Sequence, residues 1–122
     1  MRLTRDGSSG THLVRSYAPG ELRIDDERLQ STVLLSATAM QVEPTIQSVA
    51  DLSLALSERV LAMEPELVLL GTGPRQLFPE ASFGAHFLRA NVGFEVMDTG
   101  AACRTFNVLV AEQRRVVAVL ML

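Results

Sequence analysis

Phe94-Glu95-Val96-Met97-Asp98-Thr99-Gly100-Ala101-Ala102-Cys103-Arg104-Thr105-Phe106-Asn107 reads as a short apolar strand, an Asp-Thr pair able to cap a helix, and a helix that opens on small residues. A strand that hands its last residues to a helix N-terminus leaves free backbone N–H groups and a partial positive charge at one edge of a sheet. That edge is the first candidate for a site. Its structural alternative is simple capping, in which Asp98 and Thr99 each satisfy an orphan N–H for about 1 kcal/mol.

Residues 94–97 are taken as the central strand, and the segments on either side repeat the pattern. Before it, residues 67–70 form a buried strand running into Gly71-Thr72-Gly73. After Phe78-Pro79, residues 81–90 read as a helix with Phe83, Phe87 and Leu88 on its buried face, closed by Gly93 in the position where helices favour glycine. The opening helix continues over 99–112, and residues 116–122 form a last strand of almost purely apolar sequence. Upstream, 33–37 is a buried strand, because its apolar residues are consecutive. Ile46, Val49, Leu52, Leu56, Val60 and Met63 then recur at spacings of three or four, the stripe of an amphipathic helix that Pro65 ends. Asp51, Ser53, Ser57 and Glu58 would face water. Residues 11–17 and 21–24 pair as an N-terminal β-hairpin about Pro19-Gly20, and Asp25-Asp26-Glu27 forms a solvated turn.

This alternation of strand and helix predicts an α/β fold with a mainly parallel sheet covered by helices on both faces. Residues 1–10 form a mobile terminus, and 11–122 a single α/β domain. Right-handed crossovers place Gly71, Thr72, Gly73, Asp98 and Thr99 on one edge, where open α/β sheets bind ligands. The glycine pair is no dinucleotide fingerprint, since Gln76 stands where a third small residue is needed, and no NTPase loop, since the chain has no Lys. It is either a tight turn or part of an anion pocket. Arg75, Arg104 and Asn107 either converge to hold a carboxylate or phosphate, or stay apart as surface residues. Cys103 lies in the first turns of the helix, where the dipole can lower a thiol pKa, yet it shares a face with Phe106 and Val110 and can equally be packed. His12 and His86 have no ligand spacing, so no metal is expected. Arg114-Arg115 read as the cationic end of the last helix. No catalytic constellation and no cofactor motif stand out.

Composition bounds the class. The 122 residues are 48% hydrophobic and 20% charged, a globular balance, and the net charge of -3 argues against a nucleic-acid partner. All eleven basic residues are Arg, through codon usage or, if they converge, for bidentate anion contacts. No apolar run approaches the roughly 20 residues of a transmembrane segment. A single cysteine allows no intramolecular disulfide, and the N-terminus lacks the apolar core of an export signal, so the expected location is cytoplasmic.

The segments 69–73, 93–99 and 101–109 together resemble a family of small bacterial and archaeal proteins that also includes a mitochondrial assembly factor of respiratory complex I. The resemblance covers the last two-thirds of the chain strongly and the hairpin region loosely. It implies a three-layer α/β domain with a mixed central sheet and extra N-terminal strands, and it carries over no catalytic residue or cofactor. This chain departs from the mitochondrial member in lacking a targeting leader, which places it in the bacterial cytoplasm. What the resemblance implies is a non-enzymatic accessory or assembly protein acting through protein contacts, with respiratory-chain subunits or their assembly proteins as partners. The alternative is a small protein or enzyme binding an anionic ligand at the C-terminal edge of the sheet.

Overall fold

The structure, a computed structural model, describes residues 10–122. The mobile terminus expected over 1–10 falls, apart from Gly10, outside the described residues. Strands β1 (Val14–Ala18), β2 (Glu21–Ile24) and β3 (Glu27–Leu29) form a small antiparallel sheet. Strands β4 (Val33–Ser36), β5 (Met40–Val42), β6 (Leu67–Thr72), β7 (Gly93–Met97) and β8 (Val116–Met121) form the main one, in the order β5-β4-β8-β6-β7. β6 pairs in parallel with both β7 and β8, whereas β4 runs antiparallel to β8 and to β5. The sheet is therefore mixed, with only β4 pointing against the rest.

Among the described residues three α-helices, α1 (Leu54–Leu61), α2 (Ala81–Arg89) and α3 (Thr99–Ala111), flank the main sheet. The step from β6 out to β7 and the return from β7 across β6 to β8 run in opposite directions. Two right-handed crossovers then put α2 and α3 on opposite faces. β8 shows the outcome residue by residue. All six of its side chains are buried. Val116, Ala118 and Leu120 face α3 and the small sheet, packing with Ile24 and Phe106, and Val117, Val119 and Met121 join the other core with Val60, Phe83 and Phe87. The result is three layers.

Several sequence expectations are corrected. The 46–63 stripe is not one helix: a 3-10 turn at Val49–Asp51 precedes α1, and Ser48 and Ser53 cap the two pieces separately. Both pack on the same side, which is why the periodicity runs across the break. Ser57 is fully buried, its hydroxyl donating to the Leu54 carbonyl at 2.8 Å. On α2, Leu88 is 63% exposed, and Gly84 takes its place by admitting the Phe94 ring. Asn91, at φ 64°, takes the left-handed position after α2, and Gly93 instead opens β7, where a Cβ would stand 2.9 Å from the end of the Leu67 side chain. β7 is an edge strand, and the central place belongs to β8. Glu27 starts a third strand, and Asp25 is more than a solvated turn residue: its carboxylate accepts from the Leu13 N–H at 2.9 Å and meets His12 Nδ1 at 2.6 Å.

Candidate functional site

At the C-terminal ends of β6 and β7 the connections leave for opposite faces, the crevice where open α/β sheets hold ligands. Gly71 lets α3 reach this crevice, because a Cβ there would stand 2.9 Å from Thr99 Oγ1 and 3.1 Å from Ala102 Cβ. Gly73, at φ 92°, turns the chain out of β6. Thr99, fully buried, then locks the turn. Its N–H donates to the Gly73 carbonyl at 2.8 Å, and its hydroxyl accepts from the Gly73 N–H at 2.7 Å while donating to the Met121 carbonyl. One side chain thus ties β6, β8 and α3 together.

The neighbours are engaged in the same way. The Thr72 hydroxyl donates to the Arg75 carbonyl at 2.6 Å and accepts from the Leu77 N–H at 2.9 Å, which closes the loop after β6. Gln76 Nε2 donates to the Val96 carbonyl at 2.9 Å. Asp98 caps α3, accepting from the Ala101 N–H at 2.9 Å. Gly71, Thr72, Gly73, Asp98 and Thr99 are therefore together, with Gly73 and Thr99 bonded to each other and the Thr72 and Asp98 side chains bonded to nearby backbone.

The side chains of the remaining sequence candidates do not join this cluster. Arg75 and Arg104 are exposed, and no hydrogen bond or ion pair joins them among the described residues. Asn107 clasps the small sheet: its Oδ1 accepts from the Val14 N–H at 3.0 Å and its Nδ2 donates to the Val14 carbonyl at 2.8 Å, as a strand partner would. Cys103 is 5% exposed within the core around Phe106, and burial pushes its thiol up to about 12 against the opposing pull of Arg104. Desolvation outweighs the helix dipole, so the thiol stays protonated at neutral pH. The Tyr17 phenol beside it is also raised, first by burial and then by Cys103 and Asp98. A groove of about 340 Å³ between β1 and the first turns of α3 runs past Tyr17, Gly100, Cys103 and Arg104.

A larger space lies at the opposite end of the sheet, which the sequence reading did not single out. A half-open cavity of about 660 Å³ is bounded by residues 11–13, the turn after β4, the C-terminal end of α3 and the start of β8. His12, held by Asp25, and Arg114 and Arg115 line it. The two arginines stand beyond the α3 cap residue Glu112, and their side chains bond to the segment that leads into β6. Arg114 Nε donates to Glu66 at 2.8 Å, the Arg115 N–H to the same carboxylate at 2.9 Å, and Arg115 Nε to the Glu64 carbonyl at 3.1 Å. These bonds hold the Glu66 carboxyl below its usual range. The visible signal was the Arg114-Arg115 pair; its partners, about 50 residues earlier, were not legible. No cluster among the described residues could hold a metal ion.

A family model described as "Protein of unknown function (DUF498/DUF598)" matches residues 14–121. The 13 kDa major membrane protein of Francisella tularensis is 27% identical over 117 residues, covering 95% of each chain. The NADH dehydrogenase [ubiquinone] 1 alpha subcomplex assembly factor 3 of Danio rerio is 28% identical over 120 residues, 97% of this chain and 68% of that protein. Among solved structures, a Bordetella parapertussis protein superposes with a TM-score of 0.85 at 32% identity, covering 93% of this chain and 98% of its own. A Bordetella pertussis protein described as a Mth938-like domain gives a TM-score of 0.81 at 27% identity over 99% of this chain and 92% of its own.

Proposed function

The chain belongs to the DUF498/DUF598 family, and from that premise we propose that it is a non-enzymatic accessory protein acting through protein contacts, in the assembly of respiratory complex I. The observation that carries this reading is the similarity to the assembly factor, which runs through 97% of the chain. The C-terminal edge of the sheet supports it. Its hydroxyls and its carboxylate are spent on backbone partners, as suits a rigid docking platform more than a reacting centre. Beside that platform Phe78 is 70% exposed and Leu77 43% exposed, with Arg75 next to them. An exposed phenylalanine and an arginine on one short loop have the chemistry that interfaces favour. The partner contact is placed at this edge and loop, and extends to Arg104.

The protein works from the cytoplasm in this reading, docking on membrane-bound partners from outside the bilayer. No helix among the described residues is long and apolar enough to cross a membrane. The test is a crosslinked, affinity-tagged pull-down from the native host, comparing the unmodified chain with Phe78→Ser and Arg104→Ala. Recovery of complex I subunits or their assembly proteins by the unmodified chain, lost with Phe78→Ser, is the expected result. Unchanged abundance and activity of complex I after deletion of the gene would overturn it.

A further inference from the structure

We infer that the cavity at the start of β6 and β8 binds a small-molecule carboxylate with an apolar body. Its volume, about 660 Å³, lies within the range of small-molecule sites, roughly 300–1,000 Å³. Its lining divides by chemistry. Leu13, Met63, Pro65, Val110 and Val116 supply an apolar wall, and among the described residues the charged or titratable side chains along it are His12, Arg114 and Arg115. Among the described residues no carboxylate lines the space. The acids nearby stand behind these groups: Asp25 holds His12 through Nδ1, and Glu66 holds Arg114 through Nε.

That arrangement leaves binding capacity unspent. Among the described residues the Nη groups of Arg114 and Arg115 and the Nε2 of His12 carry no hydrogen bond, while each side chain is fixed by its other nitrogen. Guanidinium groups held this way meet an anion with less loss of side-chain freedom than mobile ones. The C-terminal end of α3, which also borders the cavity, would ordinarily repel an anion. Here the carbonyls of Val108, Leu109 and Val110 accept from the N–H groups of Glu112, Gln113 and Arg114, which blunts that end. Glu66 neutralises one of the two guanidinium charges, so the rim suits a monoanion. An apolar wall beside a cationic rim selects for an aliphatic or aromatic carboxylate over a free inorganic ion.

The test is an NMR titration of the full ¹⁵N-labelled chain with octanoate, and in parallel with octanol and acetate. Octanoate is expected to shift, saturably, the amide signals of Leu13, Ala37, Val110 and Val116. Octanol, with the same body and no charge, should bind about tenfold more weakly, the loss of one charge-assisted hydrogen bond. Arg115→Gln should weaken octanoate by a similar factor and leave octanol unchanged, and Ala111→Phe, which fills the cavity from its exposed lip, should remove both. Equal binding of octanoate and octanol by the unmodified protein, shifts confined to another surface, or no saturable shift would each overturn the assignment.

Discussion

The two ends of the main sheet are built from the same strands and treat their polar atoms in opposite ways. At the C-terminal end, Thr72, Asp98 and Thr99 are committed to backbone partners, and α3 approaches β6 so closely that only glycine fits at position 71. At the other end, Arg114, Arg115 and His12 are anchored by one nitrogen each, beside an open volume. The topological rule for α/β sheets picks the first end. What the contrast teaches is that the rule marks where connections diverge, and the local side chains decide whether that divergence is left open or tied shut.

If the C-terminal end is structural, substitutions there should cost stability in proportion to the bonds and space they disturb. The largest effect is expected for Gly71→Val, whose Cβ would meet Thr99 Cα at 3.0 Å, and urea unfolding should record a loss of about 3 kcal/mol. Thr99→Val should cost about 2 kcal/mol, since it strands the buried Gly73 N–H and Met121 carbonyl, and Thr99→Ser should recover most of that. A Thr99→Val protein as stable as the parent would remove the basis of the comparison.

Cys103 gives a third measure. Burial raises its pKa from the ordinary thiol value of 9.0 to about 12 in the folded protein, so folding favours the protonated thiol. That stabilisation is complete below about pH 9 and is lost as pH rises from there toward 12. Thermal melts should show a decline of about 1 kcal/mol between pH 9 and 10, flattened in Cys103→Ala. Asp98→Ala, which removes one cap, should cost a further amount of about 1 kcal/mol, read by the same melts. The smallest stability effect belongs to the other end: Arg115→Gln, at an exposed site, should stay within about 0.5 kcal/mol while weakening octanoate binding. Were Arg115→Gln to destabilise as strongly as Thr99→Val, the two ends would be alike after all.

The parts of this fold that were legible in the sequence are those whose signal is local. β6, β7, α3 and β8 follow from apolar runs, an Asp-Thr cap and a 3.6-residue period, and the meeting of residues 71–73 with 98–99 follows from crossover handedness. β3 and β5 were not seen because strands of three residues with mostly exposed side chains carry no period. The direction of β4 was not seen either, because a consecutive apolar run says that a strand is buried and nothing about its partner. Asn107 looked like a polar helix residue, and its function is to pair with Val14, 93 positions earlier. The cavity is the extreme case. Its walls come from segments around residues 12, 37, 64 and 113, and only the sheet order makes them neighbours.

That order has a consequence for how the chain acquires its structure during synthesis. β4 and β6 do not pair with each other, and β8 joins them, with one neighbour antiparallel and the other parallel. As the polypeptide leaves the ribosome, two half-sheets therefore wait, each with an unsatisfied inner rim, until the element made after both of them slots between. Closure is a late, long-range event with a high entropic cost. The interval before it is when an apolar strand edge stands exposed to aggregation and to chaperones.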